Sequence, residues 1–184
     1  MFLSGDNPDI IAGNYIADFV SNAQIGFFSE KVRTGILLHR EIDYFTDNHP
    51  VISLFNARLR ETQKKYAPVV TDIFLDYFLS RHWHEYHEVP LRQFADGIYN
   101  VLEHYYTILP EKLRSLAPRM IADDFLLSCS SEERLVKTLH FLAKRARFDN
   151  NIPHAHQDLQ RFYEEFSENF RIFFPEAIAV LRPK

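Results

Sequence analysis

The residues of this chain best suited to chemistry fall in two stretches. One carries His39, Asp43 and Asp47; the other carries Asp72, Asp76 and His82. Stepping about 100° per residue around a helix, Val32, Ile36, Leu38, Ile42 and Phe45 form one broad apolar arc. His39 and Asp43 fall inside that arc and Asp47 at its edge. In the second stretch Asp72 and Asp76 are four residues apart, on one face, between Val69, Leu79 and Trp83, with His82 beside Leu75. Asp18 is a third acid in apolar company, after Ile16-Ala17 and before Phe19-Val20. Charge on an apolar helix face is costly unless it is paired or bound to a cation. A buried His–Asp hydrogen bond explains one such pair; two stretches with the same oddity point to a shared metal. Mixed imidazole and carboxylate ligands from facing helices suit Mn, Fe, Mg or Zn. Such ions promote phosphoester hydrolysis by activating water and neutralising phosphoryl charge.

These side chains must be positioned by helices. The 184 residues are nearly half apolar and include 17 Phe and 9 Tyr, enough for one sizeable core. Glycine is scarce, at 5, and no alternating pattern extends far, so the expected class is all-α, a single-domain helical bundle over residues 1–184. Asn7-Pro8 opens a first helix, and Ser29-Glu30 opens the helix of His39, which ends near Asn48-His49-Pro50. A third runs from about Val51 to Tyr66. A fourth runs from Pro68 to about Glu88 and is apolar almost all round, as befits the middle of a bundle. Further helices are expected from Pro90 to Leu109, in a short segment around Met120–Leu127, from Ser130 to Arg147 behind a capping box, and through Leu159 to Phe173 until Pro175 interrupts.

Other chemistries are poorly supported. Walker, Rossmann and His-Glu-x-x-His patterns are missing. The lone Cys129 rules out a disulfide framework and reads as a buried small apolar residue. His84, His87, His104, His140, His154 and His156 read as surface or core residues. The start lacks a signal-peptide pattern and no apolar run spans a bilayer, so a cytoplasmic protein with no membrane partner is expected. The net charge of −4 argues against nucleic acid as the main partner.

Several spaced motifs occur in an order that resembles the acyl carrier protein phosphodiesterase family. They are Ser4-Gly5-Asp6, Gly13-Asn14-Tyr15-Ile16-Ala17-Asp18-Phe19-Val20, Gly35-Ile36-Leu37-Leu38-His39-Arg40-Glu41-Ile42-Asp43 and Thr46-Asp47-Asn48-His49-Pro50. The match continues through Ala67-Pro68-Val69-Val70-Thr71-Asp72-Ile73-Phe74-Leu75-Asp76-Tyr77-Phe78-Leu79 with His82-Trp83, then thins to Leu142-Ala143-Lys144-Arg145 and the aromatic last helix. The resemblance implies hydrolysis of the phosphodiester between 4′-phosphopantetheine and a serine of holo-acyl carrier protein, which releases the apo protein. It also implies a divalent metal, Mn²⁺ foremost, and an HD-phosphohydrolase-like helical fold. Asp18, His39, Asp43, Asp72 and Asp76 match family positions and are the expected metal ligands. Asp47, Arg40 and His82 are the candidates for acid–base work or phosphate contact.

Two departures stand out: the chain starts at Met1-Phe2-Leu3, where the family carries an earlier histidine-bearing segment, and Tyr77 stands where a histidine commonly follows the second aspartate. An acidic carrier protein would be met by a basic patch, for which Arg33, Arg40, Arg58, Arg60, Lys64, Lys65 and Arg81 are available. The competing readings are a metallo-phosphohydrolase acting on another small phosphoester and a non-catalytic helical binding module.

Overall fold

A computed structural model describes residues 1–182, and its described elements are helices and short 3₁₀ turns only. In chain order the helices are α1 (Pro8–Ile16), α2 (Glu30–Asn48), α3 (Pro50–Gln63), α4 (Ala67–Arg81), α5 (Trp83–Tyr86), α6 (Leu91–His104), α7 (Glu111–Ala122), α8 (Glu132–Arg145), α9 (Ala155–Arg161) and α10 (Tyr163–Leu181). The all-α class is therefore the observed one. The chain groups into two compact units, each assembled from separated stretches. The first comprises Met1–Thr46, Arg92–Phe125 and the chain from Glu176; the second comprises Asp47–Leu91 and Leu126–Pro175. No helix of the described residues is long and apolar enough to cross a membrane.

The first unit is organised by a close crossing of α1 and α2. Asn7 caps α1, accepting from the Asp9 and Ile10 amides, and Pro8 supplies the preset φ of the first turn. The rest of α1 is buried from Ile11 to Ile16. Gly13 on α1 and Gly35 on α2 are the reason it fits. A Cβ on Gly35 would lie 2.2 Å from the Ile10 carbonyl oxygen, and one on Gly13 would lie 2.1 Å from that of Val32. The two backbones touch where side chains would hold them apart. Elsewhere in this unit, Asp124 adopts a left-handed φ of 60°. Its carboxylate takes an ion pair from Arg92 at 2.7 Å and a hydrogen bond from the Tyr99 hydroxyl at 2.9 Å.

The second unit is built on stacked phenylalanines. Phe166, Phe170 and Phe174 fall four residues apart on α10, so they share a face. Phe166 stacks on Phe55 of α3 at 4.7 Å, and Phe170 lies 5.9 Å from Phe78 of α4. His49 caps α3, its Nδ1 accepting from the Val51 amide, and packs edge-on against Phe173. Buried Asp158 of α9 accepts from Thr62 at 2.8 Å and Gln63 at 2.7 Å, tying α9 to the end of α3. Trp83, the one tryptophan, is buried; its indole N–H donates to the Val89 carbonyl and its ring lies on His87.

Three expectations are corrected. The helix expected from Pro68 to about Glu88 ends at Arg81 and breaks at His82, whose φ of −102° and ψ of 14° leave the helical region. Pro175 does not end the last helix but sits inside α10, where it removes the bond its N–H would have made and crowds the carbonyl one turn back. The segment expected around Met120–Leu127 begins as the end of a twelve-residue helix, α7, which holds Pro118 in its interior, and closes with the 3₁₀ turn Phe125–Leu127.

Candidate metal centre

His39 is the meeting point of the candidate residues in the first unit. The α1–α2 crossing at Gly13 and Gly35 sets the residues that follow side by side: Asn14 after Gly13, and His39 one turn after Gly35. Asp18 lies one turn beyond Asn14, in the 3₁₀ turn Ala17–Phe19, and Asp43 one turn beyond His39. As a result His39 Nε2 stands 3.1 Å from Asp18 Oδ1 and 3.4 Å from Asp43 Oδ2. All three ligand atoms lie within 4.8 Å of one another. The imidazole side chain is 23% exposed, while Asp18 and Asp43 are 71% and 58% exposed, so the cluster opens to water on its carboxylate side.

This donor set fits a divalent ion. Atoms at about 2.1 Å from one ion and roughly 90° apart are about 3.0 Å from each other, close to the two separations at Nε2. Imidazole with two carboxylates is also a mixture that Mn, Fe, Mg or Zn accepts. A nitrogen lone pair facing two carboxylate oxygens calls for a positive charge between them, a proton or a metal ion.

Arg40 is engaged in holding this region. Its guanidinium donates to the Asn22 side chain and, at 3.1 Å, to the Val20 carbonyl, which fixes the chain just after Asp18. Asp47 is exposed, one turn past Asp43 in the last turn of α2.

Asp47 opens the second unit, in which Asp72, Asp76 and His82 also lie. The expectation that Asp72 and Asp76 sit within a buried apolar surface is corrected. The buried residues of α4 are Ala67, Val70, Thr71, Phe74, Tyr77 and Phe78, whereas Val69, Asp72 and Asp76 share an exposed stripe. Periodicity missed this because the stripe is flanked by Ile73 and Leu79, which makes the helix look apolar all round. Part of Asp76 reaches solvent. Protein crowds its other sides, however, and that desolvation of the charged form raises its pKa to about 6. The unfolded value is 3.8. Between the two the native state holds a proton that the unfolded chain has released. The stability Asp76 contributes is thus fully present below pH 3.8 and lost as pH rises through 6. Asp76→Asn removes that loss. With EDTA present, the urea midpoint of the variant should gain on wild type between pH 4 and pH 7; a constant difference across that window would falsify the assignment.

Burial, reinforced by the Asp76 charge, pushes the Cys129 thiol up to about 12, so it is no nucleophile at neutral pH. His82 has both ring nitrogens engaged, with Glu85 at 3.0 Å and Ser167 at 3.3 Å, and Arg171 joins Glu85 at 2.9 Å. Among the candidate basic residues, Arg58 pairs with Glu165 at 3.0 Å and Lys65 lies 3.3 Å from the Phe148 ring centroid. Arg33, Arg60, Lys64 and Arg81 are exposed.

Sequence reasoning overlooked two residues beside the cluster. The Asn14 Oδ1 atom lies 2.9 Å from His39 Nδ1, and the Asn14 amide nitrogen donates to Ser4 Oγ at 2.9 Å. Both Asn14 and Ser4 are buried. The available signal was a lone amide in the otherwise apolar stretch of α1 from Ile10 to Ile16.

Comparison with known proteins adds an independent line. The family described as acyl carrier protein phosphodiesterase matches residues 1–177. Similar proteins include the acyl carrier protein phosphodiesterase of Pectobacterium atrosepticum, 24% identical over 173 residues, which cover 94% of this chain and 90% of that one. That of Photorhabdus laumondii is 28% identical over 168 residues, 90% of this chain and 84% of the other. That of Escherichia coli is 28% identical over 173 residues, 92% and 88% of the two chains. No solved structure matches.

Proposed function

The chain belongs to the acyl carrier protein phosphodiesterase family, and from that membership we propose that it hydrolyses the phosphodiester joining 4′-phosphopantetheine to a serine of holo-acyl carrier protein, in the cytoplasm. Water adds across the phosphorus–serine oxygen bond; the serine regains its hydroxyl and 4′-phosphopantetheine leaves. The observation that carries the reading is the convergence of Asp18 and Asp43 on His39 Nε2, in a family of phosphodiesterases. Asp18, His39 and Asp43 would hold a divalent ion, Mn²⁺ foremost. When bound, that ion supplies Lewis acidity toward the phosphoryl oxygens and lowers the pKa of water.

The chain's own residues supply the setting. The two exposed carboxylates leave the cluster open to a phosphate group and to water. Arg40, bound to Asn22 and the Val20 carbonyl, keeps the Asp18 turn over the ring. Asp47, an exposed carboxylate, stays a proposed acid–base group on the strength of the family motifs. Asp72 and Asp76 stay with the proposed ligands and His82 with the proposed acid–base groups, on the strength of the family motifs. The test is incubation with holo-acyl carrier protein in Mn²⁺ and, separately, in EDTA, with the mass of the carrier protein followed. Loss of the prosthetic group in Mn²⁺ alone is expected. An unchanged carrier mass in Mn²⁺, with a generic phosphodiester cleaved in the same buffer, would refute the proposed substrate.

A further inference from the structure

The ring of His39 has two neutral forms, and only one can bind a metal from the side of Asp18 and Asp43. With the proton on Nε2 the ring would donate to those carboxylates and form an ordinary His–Asp pair. With the proton on Nδ1 the Nε2 lone pair is free for an ion. Two carboxylates at 3.1 and 3.4 Å favour the first form, so something must hold the second.

We propose that Asn14 is the positioning residue of His39, and that Ser4 orients Asn14. Asn14 Oδ1, 2.9 Å from His39 Nδ1, is an acceptor and requires the proton there. The amide is itself ambiguous, because its oxygen and nitrogen ends have nearly the same shape. Ser4 Oγ, placed to accept from the amide nitrogen at 2.9 Å, selects the turn that leaves the oxygen end for the ring when its own hydroxyl hydrogen is directed away from Asn14. Ser4 is 1% and Asn14 5% exposed, so water does not compete for either group. The glycine contact between α1 and α2 sets the distance, since Gly13 precedes Asn14 directly. The chain Ser4–Asn14–His39 thus gives the ring a fixed proton on the inside and a lone pair on the outside. A hydrogen bond to the far nitrogen of a ligating histidine is worth 10–100-fold in metal affinity.

The inference rests on the metal reading of the cluster, and its test separates the two. Ring nitrogen NMR of metal-free protein, with His39 assigned by difference from His39→Gln, reads the tautomer directly at a pH where the ring is neutral. Titration with Mn²⁺ reads the affinity. Wild type is expected as the Nδ1–H form. Asn14→Ala should convert it to Nε2–H and weaken Mn²⁺ binding 10–100-fold, while Asn14→Asp, which still accepts from Nδ1, should restore the tautomer and most of the affinity. Ser4→Ala keeps the amide but frees it to turn, so a mixture of tautomers and a several-fold loss are expected; this milder variant carries the test if Asn14→Ala does not fold. A wild-type Nε2–H ring overturns the proposal, as does Asn14→Ala or Ser4→Ala with tautomer and affinity unchanged. If the tautomer responds as expected but wild type takes up no Mn²⁺, the hydrogen-bond chain stands and the metal reading falls.

Discussion

Gly35→Ala lowers the melting temperature by about 10 °C, a large stability loss for the addition of a single methyl group. The added Cβ would sit 2.2 Å from the Ile10 carbonyl oxygen, 2.8 Å from the Asn14 amide nitrogen and 2.9 Å from the Gly13 Cα. All three are backbone atoms, so no side chain can turn aside and α1 must move bodily. Overpacking that displaces backbone costs about 3 kcal/mol or more, a large part of the roughly 5–15 kcal/mol that holds a domain together. At about 2–4 °C per kcal/mol for a chain of this size, a shift near 10 °C follows. Gly97 is the control: it lies within α6 and a Cβ there meets nothing within 4 Å. Gly97→Ala should gain about 0.5–1 kcal/mol through helix propensity. Circular dichroism melts of the two variants decide the matter; a Gly35→Ala melt within 2 °C of wild type would remove the close crossing from the account.

The second large effect is on activity. On the proposed function, His39→Ala and Asp43→Asn are each expected to reduce kcat/KM for release of 4′-phosphopantetheine by about 10³-fold or more, a loss of about 4 kcal/mol of transition-state stabilisation. Neither change should unfold the protein. Asp43 is 58% exposed, and a surface pair of this kind contributes only about 0–1 kcal/mol to stability. The separation of the two readouts is what distinguishes a reactive centre from a structural His–Asp pair. As a structural pair, Asp43→Asn would shift the melt slightly and leave turnover alone. Asp43→Asn with full activity and an unchanged Mn²⁺ requirement would eliminate Asp43 as a ligand.

Much of this was legible in the residues and some of it was not. The helices of the first half were, because Asn7-Pro8 is a local signal that works wherever it stands, and so were the apolar arc of α2 and the His39–Asp43 spacing within it. The approach of Asp18 to His39 belongs to tertiary structure: it depends on a backbone crossing that two glycines permit. Asn14 escaped notice because an amide carries no charge and a single polar residue hardly disturbs an apolar pattern. Most of helix α7 was not anticipated: it holds Pro118 in its interior, and its buried Leu113 and Ala117, one turn apart, are a short apolar signal. The break at His82 is invisible to periodicity, since Phe78 and Trp83 remain buried on either side. At the break the His82 ring meets Glu85 and Ser167, contacts that lie outside any pattern along one helix.

The solitary indole makes the two halves of the molecule optically distinct. Trp83 belongs to the second unit, with its N–H on Val89 and its ring against His87. Its emission reports the surroundings of Trp83, and a charged imidazole stacked on the ring would quench it. The crossing of Gly13 and Gly35 belongs to the other unit. Unfolding of Gly35→Ala followed by fluorescence and by helical ellipticity therefore measures whether the two units melt as one cooperative body: coincident curves mean that they do, and a fluorescence transition trailing the ellipticity means that they part.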